Sequence, residues 1–281
     1  MSGKAFRIKS LFAVAFSLIA ACSTLPALLA SGSAGAATAS QGTVQIVKGG
    51  PFFADSQSSN WSGYNLGYLS TGTKYTEVTG SWIVPTAKAH KAGQSEHGAT
   101  WIGIGGGCVN TSCTETDDTL IQAGTSETVG KTGAARYSAW YELIPATSVR
   151  EPITIHPGDL VHCFISSTGP DEWTIQLKDE TDGQGFVENT AYTSSELTAE
   201  WIVETPAVIS TKTGAGLANL PNLGVVKFYG SKVNEENTAG LVPADAIQLI
   251  NSKSKPISTP SNPNAKGTEF DVCTWASTCS S

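Results

Sequence analysis

The chain has 281 residues, with 17 basic and 24 acidic side chains, a formal net charge of −7 and a pI near 5.1. Charged residues make up 15% of it, below the ~25% that is usual in globular proteins. Nucleic-acid binding needs a basic face, so this balance argues against that class of partner. The length allows two domains, but all-β sandwiches of this size often fold as one.

The N-terminal segment has the pattern of a secretory signal. Lys4, Arg7 and Lys9 precede an apolar run over 11–21, and small residues follow as far as Ala39. A basic region, a short apolar segment and an Ala-x-Ala site are typical of export, and the apolar run is too short to span a bilayer. Cleavage after Ala39 removes three basic residues and no acid, so the charge becomes −10.

A lipoprotein cleavage site ending at Cys22 is the alternative. Soluble secretion is preferred, because the Ala-x-Ala site lies downstream and Cys22 lies inside apolar sequence. We therefore predict a signal peptide over 1–39, a short lead-in over 40–58 and one β-sandwich domain over 59–281. The expected product is a secreted monomer without membrane attachment.

Five cysteines remain after removal of the signal. The close pairs Cys108/Cys113 and Cys273/Cys279 are candidates for disulfides in an oxidising compartment, although spacing alone leaves the connectivity open. Cys163 lies in an apolar stretch and is predicted to be a buried thiol rather than a nucleophile. Cys-x-x-Cys pairs that would suggest zinc are absent from the sequence, and we expect no metal or cofactor.

Period-two alternation of apolar and polar residues dominates the chain and is regular over 172–178. Less regular alternation occurs over 118–124, 135–144 and 198–204. No window of helical length keeps a 3.6 period. Polar residues over 86–99 and prolines over 251–267 predict loops, the second before a last strand. These features predict an all-β fold, an antiparallel two-sheet sandwich or a barrel.

Common hydrolase signatures are missing. His90 and the pair Glu96-His97 do not have the spacing of a His-Glu-x-x-His zinc site. A Gly-x-Ser-x-Gly elbow and the Asp-Thr-Gly loops of aspartic peptidases are also absent from the sequence.

Three predicted strands place polar residues opposite an apolar face. Glu204 lies on the face of 198–204 opposite Trp201, where it would meet solvent or a groove. Gln122 lies opposite Ile121 and Ala123, while Trp140 and Glu142 share a face in the third strand. For each residue alone, an ordinary surface or packing role is the simpler interpretation.

Taken together, the motifs resemble the glutamic peptidases, the eqolisins of peptidase family G1. They occur in family order over about 59–230. The matching segments are Asn60-Trp61-Ser62-Gly63-Tyr64, Val78-Thr79-Gly80-Ser81-Trp82-Ile83-Val84-Pro85, Trp101-Ile102-Gly103-Ile104, Leu120-Ile121-Gln122-Ala123-Gly124, Tyr137-Ser138-Ala139-Trp140-Tyr141-Glu142 and Ala199-Glu200-Trp201-Ile202-Val203-Glu204. The last three carry most of the specificity.

This resemblance implies two curved antiparallel sheets of the concanavalin A-like or jelly-roll type, with the active site on the concave face. It implies an acid endopeptidase, insensitive to pepstatin, that acts on protein or peptide substrates through Gln122 and Glu204. Trp61, Trp101 and Trp140 match positions that line the groove, although core packing is an equal alternative for the first two. Trp82, Trp173, Trp201 and Trp275 are interpreted as structural.

The chemistry that we expect uses Glu204 as a general base that activates water and then, once protonated, as the acid for the leaving amine. Gln122 would donate N–H to the oxyanion, and Glu142 would orient this pair. Two departures stand out: Gly105 replaces an Asp of the fungal members, and the region beyond about 240 matches poorly.

Three other interpretations stay open. The first is a non-catalytic, carbohydrate-binding sandwich that reads sugars with its tryptophans. The second is a glycosidase with Glu142 and Glu204 as its two carboxyl groups. The third is a glutamic peptidase homologue that Gly105 has inactivated.

Overall fold

The structure, a computed structural model, describes Val44–Gln45 and residues 57–210, 214–235 and 237–280. The predicted signal and most of the lead-in lie outside the described residues. Apart from one four-residue helix and one 3-10 turn, every described element is a strand, so the all-β prediction is confirmed.

In chain order, the described strands run from β1, which precedes the domain, to β19 near the C-terminus. The strands are β1 Val44–Gln45, β2 Gln57–Ser58, β3 Trp61–Gly67, β4 Glu77–Ile83, β5 Glu96–Gly105, β6 Leu120–Val129, β7 Ala135–Ile144, β8 Val149–Arg150, β9 Leu160–Gly169, β10 Glu172–Asp179, β11 Gly185–Ala191, β12 Thr198–Glu204, β13 Ala207–Ser210, β14 Gly214–Leu217, β15 Val225–Val233, β16 Asn237–Thr238, β17 Ala246–Ile250, β18 Pro256–Pro260 and β19 Phe270–Thr274. The helix α1 is Tyr68–Thr71, and the 3-10 turn is Pro243–Asp245.

Strands β1, β13 and β14 form a separate three-stranded sheet, and the other described strands form one continuous sheet that folds into two layers. The front layer has the order β3-β12-β5-β6-β7-β8, and the back layer has the order β11-β10-β9-β4-β15-β19-β18. Strand β17 joins them, because it pairs with β18 on one side and β3 on the other. The two sheets of the predicted sandwich correspond to these two layers, which β17 joins at one edge. The strand β17 also pairs in parallel with β2, whereas the pairings along the two layers are antiparallel.

The main core lies between the two layers. Two indole N–H groups cross it: Trp82 of β4 donates to the hydroxyl of Thr125 of β6 at 3.0 Å, and Trp201 of β12 donates to the carbonyl of Thr79 at 2.9 Å. These bonds satisfy polar groups that burial would otherwise leave unpaired, so they set the relative position of the layers.

The four tryptophans that were interpreted as structural divide into two groups. Trp82, Trp173 and Trp201 are buried in the main core. Trp275 is 36% exposed and stacks on the ring of His90, with 3.4 Å between ring centroids. Its place is therefore a surface contact rather than the core.

The alternation over 172–178 predicts β10 correctly, because Trp173, Ile175 and Leu177 are buried in turn. The two predicted loops are partly wrong. Residues 96–99 belong to β5, where Glu96 pairs with Val129 of β6, and residues 256–260 form β18. Prolines at both ends of β18 concealed this strand from the sequence pattern.

Both predicted disulfides are present, Cys108–Cys113 and Cys273–Cys279, and Cys163 is a buried free thiol. Burial raises the pKa of this thiol, which fits a packing role. Among the described residues, no helix is long and apolar enough to cross a membrane, and no group of three or more His, Cys, Asp or Glu could hold a metal ion.

Candidate active site

The front layer carries a second apolar cluster on the face that points away from the main core. Its buried members are Trp61, Ala99, Trp101, Leu120, Trp140, Ile202 and Ile247. Since the main core covers the opposite face, the front layer is buried on both sides. Every residue of β12 is accordingly buried, including its two glutamates.

Glu204 ends β12 inside this second cluster. It has no exposed surface, so the expectation that it meets solvent is wrong. Its Oε2 accepts the indole N–H of Trp101 at 2.8 Å, and its Oε1 accepts the amide of Asn60 at 3.2 Å. Two donors, one from β5 and one from the residue before β3, therefore converge on one carboxyl group.

Burial raises the pKa of Glu204 well above its ordinary value of 4.5, because the apolar surroundings disfavour the charged form. The negative charge of Glu142 raises the same pKa further. The hydrogen bonds from Trp101 and Asn60 act in the opposite direction, since they stabilise the carboxylate. Burial is the largest of these effects.

Gln122 and Glu142 form a second buried pair on the same face. Gln122 of β6 lies directly opposite Glu142 of β7, and its Nε2 donates to Oε2 of Glu142 at 2.8 Å. Neither side chain is exposed. Among the described residues, Oε1 of Gln122 accepts no hydrogen bond. The amide thus keeps one oxygen and one N–H for another molecule.

The register separates the two groups along the sheet. Gln122 is level with Gly103 of β5, whereas Glu204 is level with Ala99, four residues away on that strand. The indole of Trp101 lies between these two positions of β5, Ala99 and Gly103. Its Nε1 bonds to Glu204, and its Cζ3 would lie 2.9 Å from a Cβ added to Gly103. One ring therefore extends from Glu204 to the residue beside Gln122.

The three tryptophans that were expected to line the groove are buried: Trp61 and Trp101 have no exposed surface, and Trp140 is 3% exposed. Trp61 and Trp101 meet edge to face, with 5.0 Å between ring centroids. They pack against each other and Trp101 also holds Glu204, so packing and site formation are not exclusive alternatives here. The structure brings all six predicted site residues onto one face of the front layer.

Asn60 is a site residue that sequence reasoning missed. It precedes Trp61, and only the fold brings it to Glu204, 144 positions further along the chain. Glu200 was missed as well: it is fully buried on the same face as Glu204, and burial raises its pKa well above 4.5. Glu200 lies four residues before Glu204, and in a strand this spacing places both side chains on the same face, which was the available sequence signal.

Gly105 ends β5 in a conformation with φ +97°, which only glycine adopts without strain. A Cβ at this position would lie 2.1 Å from the carbonyl oxygen of Thr119. The backbone of this chain therefore excludes the Asp that fungal members of the resembled family carry here.

Comparison with known proteins gives one family match. The Peptidase A4 family matches residues 59–272, which includes every site residue described above. The match continues past residue 240 through β17 and β18 and ends before the Cys273/Cys279 pair.

Individual proteins agree with this match. Aspergillopepsin-2 of Aspergillus niger is 29% identical over 217 residues, which cover 68% of this chain and 70% of that protein. Scytalido-glutamic peptidase, solved with a peptide-based transition state analog, superposes with a TM-score of 0.60 at 22% identity, covering 77% of this chain and 98% of that one. The eqolisin SCP-B, in complex with the tripeptide Ala-Ile-His, gives 0.57 at 20% identity over the same shares.

Proposed function

The chain belongs to the Peptidase A4 family, that of the glutamic peptidases, and we propose that it is a secreted endopeptidase in which Glu204 and Gln122 carry out peptide hydrolysis. One observation carries the assignment: two donors, Trp101 and Asn60, hold the Glu204 carboxyl group, while a neutral amide, anchored by Glu142, is presented on the same face. The substrate is a protein or peptide, bound on this face, which the family resemblance makes the concave one.

The reaction begins with the ionised Glu204 taking a proton from water. The resulting hydroxide oxygen attacks the carbonyl carbon, and the free N–H of Gln122 donates to the oxygen that becomes negative. The carboxylic acid of Glu204 then gives its proton to the leaving nitrogen as the carbon–nitrogen bond breaks. The products are a carboxylic acid and an amine, and Glu204 returns to its ionised form.

Glu142 orients the amide in this scheme. An amide can present either its oxygen or its nitrogen, and the 2.8 Å bond to Glu142 requires the nitrogen on that side. One N–H of Gln122 is thereby occupied, and the second is directed away from Glu142. Since an amide does not titrate, this donor is present at every pH at which the protein is folded.

The pH dependence follows from the Glu204 environment. Because its pKa is raised well above 4.5, the ionised fraction falls as the pH drops through a value higher than that of an ordinary glutamate. Acid activity is thus expected to have its lower limb above ~4.3 rather than below it. Because Glu204 and Gln122 have no exposed surface, a productive complex also requires that groups packed over this face move aside.

Secretion and the monomeric state remain part of the proposal. The two disulfides support export, since such bonds persist in oxidising compartments. Membership of a peptidase family argues against the carbohydrate-binding and glycosidase alternatives. These alternatives also predict different activities for the mutants.

The test is cleavage of an unfolded protein across pH, with and without pepstatin, by the wild type, Glu204→Gln and Gln122→Ala. We expect activity to be lost in Glu204→Gln, to fall by ~10²–10³ in Gln122→Ala, and to resist pepstatin. Glu172→Gln and Gln176→Ala make the same changes on β10 of the back layer and should be silent.

Other outcomes separate the alternatives. A nearly silent Gln122→Ala beside an inactive Glu204→Gln would favour paired carboxyl groups, as in a glycosidase. Full activity in Glu204→Gln would remove Glu204 from the mechanism. A folded but inactive wild type would favour the binding protein or the inactivated homologue.

A further inference from the structure

Asp117 is a buried carboxylate that the proposed mechanism does not use. It is 1% exposed and lies three residues before β6. Its Oδ1 accepts the N–H of Thr119 at 2.9 Å, the hydroxyl of Thr119 at 2.8 Å and the hydroxyl of Ser195. Its Oδ2 accepts the N–H of Leu197 at 3.1 Å. Four donor contacts therefore meet this one carboxylate, three on Oδ1 and one on Oδ2.

These donors come from the starts of two different strands. Thr119 immediately precedes β6, which carries Gln122, and Leu197 immediately precedes β12, which carries Glu204. Both strands pair antiparallel with β5, so their first residues lie on either side of the last residues of β5. The two strands share no ladder with each other. The carboxylate thus makes a direct link between them that the backbone hydrogen bonds do not provide.

Gly105, the last residue of β5, lies between the two strand starts. Its missing side chain leaves room for the Thr119 carbonyl, which would be 2.1 Å from a Cβ there. Thr119 can therefore reach both Asp117 and Ser195, whose N–H donates to its hydroxyl at 3.0 Å. Gly105, which departs from the family pattern, and the buried Asp117 are therefore connected through Thr119, which approaches the first and donates to the second.

We propose that Asp117 is a positioning residue that sets the placement of Gln122 relative to Glu204, an inference that rests on the proposed function. The two groups lie on strands separated by β5, so a shift of one strand start along the sheet changes their separation. Misplacement of a reacting group by 1 Å can cost ~10²-fold in rate. Asp117 lies at the strand starts and is not among the proposed site residues, so we expect the effect to fall on kcat rather than on KM.

The main test compares Asp117→Asn with Asp118→Asn. The amide keeps the shape of Asp117 but turns an N–H2 group toward backbone or hydroxyl donors, so at least one contact is lost. We expect kcat to fall by about ten- to a hundredfold with little change in KM, at a temperature where the variant is fully folded by circular dichroism. Asp118 is exposed, and its variant makes the same charge change at the next position. It should retain wild-type kcat.

A second pair of variants keeps the proposal testable if Asp117→Asn does not fold. Thr119→Val removes one donor and keeps the shape, whereas Thr119→Ser keeps the hydroxyl. We expect a lower kcat in the valine variant and recovery in the serine variant, a difference that a general packing role would not produce. Wild-type kcat in both Asp117→Asn and Thr119→Val would overturn the proposal.

Glu204→Gln, measured beside these variants, separates this inference from the function on which it rests. An inactive Glu204→Gln together with a wild-type kcat in both Asp117→Asn and Thr119→Val overturns the positioning role alone. An active Glu204→Gln overturns the proposed function, and with it the pair of groups that Asp117 would place.

Discussion

The indole Nε1 of Trp101 donates to Oε2 of Glu204 at 2.8 Å, so a side chain of β5 supports a carboxyl group of β12 from within the same buried face. This bond favours the ionised form of Glu204, while burial favours the neutral form. In the proposed mechanism, the pH range of activity therefore depends on a donor that contributes no proton to the reaction.

Replacing Trp101 by Phe tests this dependence. Phe keeps an aromatic ring but removes the donor, so the pKa of Glu204 should rise further and the acid limb of kcat/KM should move to higher pH. The measurement is the pH profile of peptide cleavage. Trp82→Phe is the matched control, because it removes an indole donor to Thr125 in the main core. An unchanged limb in Trp101→Phe would contradict the assignment of that limb to Glu204.

Glu127 predicts how stability depends on pH. It is fully buried and accepts the hydroxyls of Thr125 and Thr100, and burial raises its pKa from 4.5 to about 8. The folded state thus binds its proton more tightly than the unfolded state. This contribution to stability is complete below pH 4.5 and is lost as the pH rises to about 8.

Glu127→Gln should leave stability nearly unchanged at pH 4 and raise it at pH 8.5, by an amount on the order of a few kcal/mol, since the amide cannot ionise. Urea unfolding at the two pH values measures this. Glu172→Gln removes an exposed acid from β10 and should change neither midpoint by more than about 0.5 kcal/mol. Equal effects of Glu127→Gln at both pH values would show that its ionisation does not control stability.

Gly105→Ala should destabilise the protein by more than about 2 kcal/mol, because it adds a clash with Thr119 to the cost of φ +97°. Gly133→Ala is the control: Gly133 has φ +85°, but a Cβ there meets nothing within 4 Å, so only the backbone cost applies. Urea midpoints of both variants give the difference. Equal losses would mean that the close approach of Thr119 is unimportant.

The same geometry predicts that Gly105→Asp will not increase activity, although it restores the residue of the fungal members. The added side chain would displace Thr119 and disturb the contacts of Asp117. Measured activity above the wild type would instead support the view that Gly105 impairs the enzyme.

Much of this arrangement was predictable from sequence, because strand alternation is a local property. It correctly placed Ala199, Trp201 and Val203 in the main core and put Glu204 on the opposite face. It could not show that this opposite face is buried too, since a strand covered on both sides loses its contrast between apolar and polar positions.

The contacts that complete the site are long-range, and no periodicity encodes them. Asn60 reaches Glu204 across 144 positions, and Asp117 reaches Leu197 across 80. The joining of the two layers through β17 was equally hidden, because a strand's partners depend on the path of the whole chain. Short polar and proline-containing strands such as β18 add to the difficulty.

The position of β17 also determines when the fold can close during synthesis. Among the described strands, the front layer connects to the back layer only through the path β3-β17-β18, and β17 and β18 are followed by β19 as the last strand made. A nascent chain that ends before Ala246 holds most of both layers but lacks the strands between them. Every residue of the proposed active site precedes this point, yet the sheet that supports them is finished only when the C-terminal segment arrives.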